Sequence, residues 1–412
     1  MQRNRLNLPV ILALLSGIVV FTGLHPHLQA EDFFEVKNAI LDEAWKRVAF
    51  FYILPAITLN DLGHTSNIYS YRDREEPDWL AEPGLDLKIS TILGNRFIIS
   101  VTTSPSYRFY ANHIEHRAFN NRLQAVLYTY LGRINLKYQF TSNYTVREST
   151  MEFAVPTRWG MKEHHFSLDM GSYENLFITL YLQQSRVKYQ DERYLGDYNL
   201  KNLLNRQELK AGIKLYKIIF SRTRLFLNYE RVGYEFAYET RRNETGDQAS
   251  LGIEFPEISR IKGSLQLGLK FFNPAHPLYK NYTKTFGTGE VTVTLFSRFK
   301  LHFQYLVDNF PAFWRTDQRY NEKSAAAGLE FYVSRRIKLG YSYRLGQFSY
   351  ENFIDRAKTR QDDFYTSSLY VGIKFFKKVG IGLVYRISHL ESGESGFDRR
   401  SDFIGGYITH EF

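Results

Sequence analysis

The sequence predicts an all-β protein: a transmembrane antiparallel up-and-down β-barrel of about 18 strands, or 16 if two weak segments are not strands, with a short N-terminal helix. Three observations carry this prediction. Polar and apolar residues alternate with a period of two over long segments. Short and long connections alternate between these segments. After the first 30 residues, no apolar run is long enough for a transmembrane helix.

The segment 133–147, RINLKYQFTSNYTVR, shows the alternation clearly. Leu136 and Tyr138 share one parity, and Asn135 and Lys137 share the other. Because an extended strand sends successive side chains to opposite faces, this segment has one apolar and one polar face. It is longer than the usual strand of a soluble sheet, about five or six residues, and exceeds the roughly nine to eleven that a tilted membrane strand needs. The same pattern recurs in segments 209–215, 265–271, 299–308, 337–345, 369–375 and 379–387.

Short and long connections take turns along the whole chain. The short ones are 94–95, 131–132, 171–174, 217–222, 256–259, 297–298, 334–336 and 377–378. The long, polar ones are 61–81, 111–117, 148–158, 190–207, 240–246, 273–282, 309–321, 350–362 and 391–399. Eight short turns and nine long loops predict eighteen strands, with both chain ends on the short-turn side. Bacterial single-chain barrels have an even strand number, short periplasmic turns and longer external loops.

Closure of the sheet follows from the cost of open edges. In lipid, each unsatisfied backbone group costs several kcal/mol, and a closed barrel has no edge. The apolar parity then faces lipid and the polar parity faces a lumen. A soluble β-propeller or sandwich is the alternative, but it explains neither the strand length nor the regular change between short and long connections.

Residues 1–30 have the three parts of a secretory signal peptide: a basic start, an apolar run and a small residue, Ala30, before acidic residues. An uncleaved anchor helix is the alternative. We expect cleavage after Ala30, because Pro9 and Gly17 interrupt the apolar run and the run is short for a membrane span.

After the signal peptide, residues 31–47 have apolar positions at helical spacing, which predicts a short amphipathic helix. This helix is either a periplasmic appendage or a partial plug that enters the lumen. The barrel is expected to occupy residues 48–412.

Composition excludes several classes of protein. The chain has 53 Lys and Arg against 43 Asp and Glu, a formal net charge of +10, but the basic residues are spread along the segments, so we expect no nucleic-acid partner. Without cysteine, an exported chain has neither disulfides nor thiolate metal sites. Aromatic residues make up 16% of the chain, with 30 Tyr and 33 Phe, and such enrichment suits the interfacial girdles of membrane barrels.

The C-terminal sequence GGYITHEF ends in Phe412 on a final alternating segment. A terminal aromatic residue at this place resembles the assembly signal of outer-membrane barrels, although His410 occupies the position where Tyr is common. The sequence therefore predicts localisation in the outer membrane, with membrane lipid and the barrel-assembly machinery as partners.

Eleven cations have the strand parity that is expected to face the lumen: Lys88, Arg133, Lys137, Lys210, Lys214, Lys270, Lys300, Lys338, Arg344, Lys374 and Arg386. Fewer acids share this parity, chiefly Asp86, Glu290 and Glu330. A wall with one dominant sign of charge concentrates counter-ions, so we expect a lumen that prefers anions. The alternative is a network in which acids pair with these cations and brace the barrel without selecting a solute.

Asp61, Gly63, Ser66, Asn67 and Tyr69 form a pattern within LNDLGHTSNIYSYRD, which precedes the strand EPGLDLKIS. This stretch of about thirty residues resembles the opening hairpin of a family of outer-membrane β-barrel proteins often associated with exopolysaccharide export. The resemblance implies a passive pore for a polysaccharide, with polysaccharide-export components as partners. The cationic lumen expected above suits an anionic glycan as cargo.

An outer-membrane barrel enzyme that acts on lipid or surface peptide is the alternative function. The densest histidine groups are His113 with His116 and His164 with His165. We interpret them as polar loop and strand residues, since H-x-x-H on an extended segment places its two rings on opposite faces. The sequence contains no nucleophile elbow, phosphate-binding glycine loop or metalloprotease motif, and we expect no catalytic residue, metal or cofactor.

Overall fold

Eighteen long strands form one closed antiparallel sheet in the computed structural model. The structure describes residues 30–68, 75–132, 134–147, 157–171, 176–190, 194–195, 198–220, 223–255, 260–277, 279–296, 298–311, 317–352, 360–375, 378–393 and 398–412. Apart from Ala30, the predicted signal peptide lies outside these ranges and stays a prediction.

The strands are numbered β1 to β18 in chain order: Phe51–Thr65, Asp78–Leu93, Phe97–Tyr110, Ala118–Tyr130, Ile134–Arg147, Thr157–Gly171, Leu176–Tyr189, Arg206–Ile218, Arg224–Phe236, Glu244–Phe255, Ile261–Pro274, Tyr282–Leu295, Phe299–Pro311, Asp317–Tyr332, Ile337–Asn352, Arg360–Phe375, Val379–Ser392 and Arg399–Glu411. Helix α1 is Ala30–Glu43 and helix α2 is Leu200–Leu204. The remaining elements are 3₁₀ turns at Ile114–His116 and Thr240–Arg242, and short strands at Lys46–Val48, Tyr194–Leu195 and Tyr198–Asn199.

Each long strand pairs with its neighbours in sequence, and β18 pairs back with β1 through the register Ala56↔Glu411 to Thr65↔Phe403. The strands run from 12 to 16 residues, long enough to cross a bilayer at a tilt. The predicted eighteen-stranded antiparallel barrel with a short N-terminal helix is therefore confirmed. Within the described ranges, no helix is long and apolar enough to cross a membrane.

The predicted rhythm of connections is also confirmed. The eight short connections fall between the strand ends near residues 95, 132, 173, 220, 258, 297, 335 and 377, and the other nine connections fall at the opposite rim. Eight of these nine are longer than any short connection, and the ninth, between Pro311 and Asp317, is as long as the one between Ile218 and Arg224. Strand ends differ from the predicted ones by a few residues. At 309–321, β13 and β14 extend through most of the predicted loop. Gly94 and Gly132 have positive φ values of 61° and 76°, a conformation that lets a tight turn close without a Cβ clash.

The two faces of the sheet differ as the alternation predicts. On β11, Leu265, Leu267, Leu269 and Phe271 are exposed on the outer face, whereas the residues between them point into the barrel. Other strands show the same alternation, so a belt of exposed apolar side chains surrounds the barrel. Such a belt is stable only in contact with lipid, and we therefore describe the fold as a transmembrane barrel.

Candidate permeation pathway

Ten of the eleven cations predicted to line the lumen lie in the described part of the chain, and Arg133 lies outside it. On their strands, these ten occupy the parity opposite to the exposed apolar residues: Lys88, Lys137, Lys210, Lys214, Lys270, Lys300, Lys338, Arg344, Lys374 and Arg386.

Most of these cations have an acidic neighbour. Seven lie within 4.0 Å of a carboxylate oxygen: Lys88 with Glu43 at 3.6 Å, Lys214 with Glu254 at 3.7 Å, Lys270 with Asp308 at 2.5 Å, Lys338 with Glu330 at 3.3 Å, Lys374 with Glu411 at 3.8 Å, Arg386 with Asp61 at 3.9 Å, and Arg344 with Glu322. The sequence named chiefly Asp86, Glu290 and Glu330 as the acids of this wall, and the structure adds Asp61, Glu254, Asp308 and Glu322. Asp61 belongs to a segment predicted as a loop, and Glu322 directly follows another, so their inward direction was not evident from the sequence.

A cavity of about 550 Å³ opens in the lumen along the inner faces of β5 to β13. Its charged lining consists of four cations and three carboxylates: Lys210, Lys214, Arg224 and Lys270, with Asp169, Glu230 and Asp308. Aromatic rings contribute to the same wall: Phe177, Tyr181, Tyr216, Tyr234, Phe272 and Phe286. A pocket with apolar bodies and a few charged groups is the usual form of a site for small polar ligands.

All three carboxylates of this cavity are engaged by neighbouring donors. Thr179 donates to Asp169 at 2.5 Å, Tyr181 and Gln248 donate to Glu230 at 2.8 and 2.5 Å, and Lys270 donates to Asp308 at 2.5 Å. Each carboxylate thus uses part of its acceptor capacity on the barrel wall.

The cations of the cavity are compensated less completely. Neither Lys210 nor Arg224 lies within 4.0 Å of a carboxylate of any described residue. Lys214 stands between them on the same wall, with its ammonium 4.8 Å from the ring centroid of Phe226. The register Lys210↔Val232 and Ile218↔Arg224 separates the two uncompensated cations by eight residues. At about 3.4 Å per residue, they span roughly 27 Å along the strands.

Arg224 was missed by the sequence prediction. It begins β9, where Asn228 and Glu230 share its parity and Leu225 and Leu227 lie on the outer face. This alternation was the signal that could have identified it.

Arg319 was missed because the sequence placed 309–321 in a loop. Instead it lies at a register shift in β14, buried against Glu244, with Nε 2.7 Å from Oε1. Its guanidinium is 4.0 Å from the ring centroid of Phe272 and donates to the carbonyl oxygen of Asn309 at 3.1 Å. This buried pair joins β10 to β14 across the lumen.

Helix α1 packs inside the barrel at its short-turn end. Phe33 and Ile40 are buried against the inward-facing Ile98 of β3, and partly buried tyrosines of β1 and β4 complete the cluster. Lys37 donates to Asn95 in the first short turn at 2.7 Å. This packing is what the partial-plug alternative expects, and the role of the helix stays a prediction.

Helix α2 narrows the opposite mouth. Its three leucines are buried against Val187 and Tyr189 of β7, whose side chains point into the barrel. Arg242, from the next loop at the same rim, donates to the carbonyl oxygen of Leu203 at 3.1 Å. The loop between β7 and β8 is therefore folded inward at this point.

Two residues of the family-like pattern shape the strand that closes the barrel. Asp61 has a positive φ of 48° at an irregularity in β1, and its carboxylate accepts from Arg108 at 2.9 Å. At Gly63, a Cβ atom would lie 2.2 Å from the carbonyl oxygen of Ile404, so only glycine permits this approach of β1 to β18.

Two further residues of the pattern form hydrogen bonds between the end of β1 and β18. The amide of Asp402 donates to Ser66 Oγ at 2.9 Å, and Asn67 Nδ2 donates to the carbonyl oxygen of Arg400 at 3.2 Å. Tyr69 lies outside the described residues. These contacts give the pattern a role in barrel closure.

The histidines at 113 and 116 lie in the predicted loop, but they do not point to opposite sides. The segment forms a 3₁₀ turn, which places their rings 6.4 Å apart. His113 Nδ1 is 2.8 Å from Asp78 and Nε2 is 3.0 Å from Glu76. Burial opposes the charged form of the ring, but these two hydrogen bonds outweigh it and raise the pKa of His113.

His164 and His165 are separated by the alternation of β6. His164 is on the outer face, 2.8 Å from the hydroxyl of Tyr138, and His165 lines the cavity. Within the described ranges, no group of three or more His, Asp or Glu could hold a metal ion.

Phe412 directly follows β18 at the short-turn rim. Its amide donates to the carbonyl oxygen of Pro55 at 3.3 Å, and its ring lies 4.7 Å from that of His410 and 6.1 Å from that of Trp45. Its role as an assembly signal stays a prediction.

No protein-family model matches the chain, and no curated protein matches it. Among solved structures, Pseudomonas aeruginosa OccK2 (OpdF) is 9% identical with a TM-score of 0.50, covering 87% of this chain and 97% of that chain. The structure of OccK2 in complex with glucuronate is 10% identical, also with a TM-score of 0.50, covering 87% and 98% of the two chains. Acinetobacter baumannii OccAB3 is 10% identical with a TM-score of 0.48, covering 87% and 99%. These likenesses concern the fold.

Proposed function

We propose that this protein is an outer-membrane pore that passes small polar solutes and prefers anions. The observation that carries the proposal is the charge balance of the cavity. Its lining has four cations against three carboxylates, and Lys210 and Arg224 have no carboxylate of a described residue within 4.0 Å. A confined channel with such uncompensated charge concentrates anions.

Reversal potentials in planar bilayers test this proposal. Under a salt gradient near 0.1 M, the wild type should prefer anions, and Lys210→Gln with Arg224→Gln should lower the anion-to-cation permeability ratio by about fivefold. The preference should fade near 1 M salt, where the Debye length falls to about 3 Å. Lys323→Gln, on the outer face, is the matched control and should behave like the wild type. A cation-selective or unselective wild type contradicts the proposal.

Small sugar acids are the solutes that we propose for this cavity. OccK2, which shares the fold, has been crystallised with glucuronate, and the cavity here combines aromatic rings with more cations than carboxylates. Glucuronate should reduce the chloride current through the wild type more than glucose does at equal concentration. The difference should disappear in the variant that lacks both uncompensated cations.

An acidic polysaccharide, with export components as partners, is a finer proposal that rests on the sequence resemblance. Passage of a polymer would require α1 to leave the short-turn mouth, where Phe33 and Ile40 hold it against the wall. Liposomes containing the barrel should therefore release sugar acids but retain long acidic glycans, unless these anchors are removed. Nothing in the described contacts or in the fold likeness favours the alternative of an enzyme acting on lipid or surface peptide.

A further inference from the structure

Four exposed cations form a patch on the outer face of the barrel, at the ends of β6 and β7 that lead into long connections. The outer cationic patch consists of Arg158, Lys162, Arg186 and Lys188. On β7, its members share parity with the exposed Leu182 of the apolar belt. These side chains therefore point away from the lumen and cannot contribute to a permeation path.

The register brings these charges close together. Lys162 lies directly opposite Arg186, and Lys188 lies opposite Gly160, which has no side chain to separate the cations around it. Directly opposite side chains have Cβ atoms about 5 Å apart, and like charges at this spacing repel. An anion placed between them would relieve that repulsion.

Three members of the patch have no acidic partner among the described residues. Lys162, Arg186 and Lys188 have no carboxylate of a described residue within 4.0 Å. The outward residues beside the patch are uncharged: Tyr144 of β5 pairs with Gly160, and Gln207 of β8 pairs with Arg186.

Elsewhere on this rim, outward cations and acids are mixed. Arg400 lies 3.4 Å from Asp402 on β18, for example. The uncompensated charge is thus a property of β6 and β7 and not of the rim in general.

The depth of the patch in the membrane indicates which part of the lipid it contacts. Along the outer face of β7, Leu176 and Leu182 belong to the apolar belt, Gln184 follows, and Arg186 and Lys188 come next. At about 3.4 Å per residue and a tilt near 40°, Lys188 lies roughly 15 Å above Leu182 along the membrane normal. Because Leu182 is the seventh of the 14 residues of β7, and long connections of bacterial barrels are external, this height is the headgroup level of the outer leaflet.

We propose that the outer cationic patch binds the phosphate groups of a phosphorylated glycolipid in the outer leaflet. Arginine presents a planar fork that matches phosphate oxygens, and lysines add point charges around it. This site is independent of the pore, because its residues lie on the opposite side of the barrel wall from the cavity.

Binding of purified diphosphorylated lipid A to the folded barrel in detergent, measured by native mass spectrometry, tests the site. The triple variant Lys162→Gln, Arg186→Gln and Lys188→Gln should bind about a hundredfold more weakly than the wild type. Equal binding by this variant overturns the proposal.

The matched control removes three other exposed cations from the outer face of the same rim, Arg231→Gln, Lys323→Gln and Arg400→Gln, and should retain binding within about threefold. Dephosphorylated lipid A should bind the wild type poorly, whereas equal binding would overturn a phosphate site. Phosphatidylglycerol separates the two sources of phosphate: binding as tight as that of lipid A overturns the assignment to a glycolipid. These wild-type comparisons decide the question even where the triple variant does not fold.

Discussion

A charge placed on the lipid face at mid-depth should destabilise the barrel far more than the same charge in the lumen. Leu267 is 68% exposed on the outer face and is the seventh of the 14 residues of β11. At about 3.4 Å per residue and a tilt near 40°, each strand end is roughly 16 to 18 Å away along the membrane normal. Leu267 therefore lies near the bilayer midplane.

Leu267→Arg should lower the free energy of unfolding by about 2–4 kcal/mol, the cost of an arginine at the midplane of a membrane barrel. With an m-value of about 3 kcal/mol/M, the urea midpoint should fall by roughly 1 M. The assay is reversible folding into lipid vesicles followed by tryptophan fluorescence. Thr288→Arg is the matched control, because Thr288 lines the cavity and pairs with Gln266, the residue next to Leu267. It should change the free energy by less than about 1 kcal/mol, and equal losses in both variants would refute the assignment of the two faces.

Three further outcomes are expected. Arg319→Met should lower the free energy of unfolding by about 3–5 kcal/mol, because it removes the guanidinium that neutralises the buried carboxylate of Glu244, and Arg319→Met with Glu244→Gln should recover part of this loss in the same vesicle assay. Because the pKa of His113 is raised in the folded protein, its contribution is complete below pH 6.5 and is lost as the pH rises through the raised value; the protection factors of the amides in the loop 111–117, which correct for the intrinsic rise of exchange with pH, should therefore fall above pH 6.5 in the wild type but not in His113→Gln. The chain has no cysteine, so single cysteines at Glu115 and Leu131 can report on intact cells which rim of the barrel is external. We expect Glu115→Cys to be labelled and Leu131→Cys to be protected, and the reverse result would contradict the predicted topology.

The sequence by itself determined the barrel. A period of two is a local property of an extended backbone, so the outward parity of β5 and β11 could be read directly from their residues. The alternation of short and long connections determined the strand number, because antiparallel neighbours must reverse direction at each rim. The pattern was sufficient because, in lipid, a sheet of such strands can pair the backbone groups of its edge strands only by closing into a barrel.

Only the tertiary structure decided which charges remain available in the lumen. Parity places Lys210 and Lys270 on the same wall, but Lys270 reaches Asp308, 38 residues away in sequence, while Lys210 has no carboxylate of a described residue within 4.0 Å. Such pairs depend on the closure and stagger of strands that are distant in sequence, and a local pattern contains no information about them. The same limit applies to Arg319, because its partner Glu244 comes from a strand 75 residues earlier. The same limit explains why the amphipathic pattern of α1 predicted a helix but did not predict that Phe33 is buried against the lumen wall.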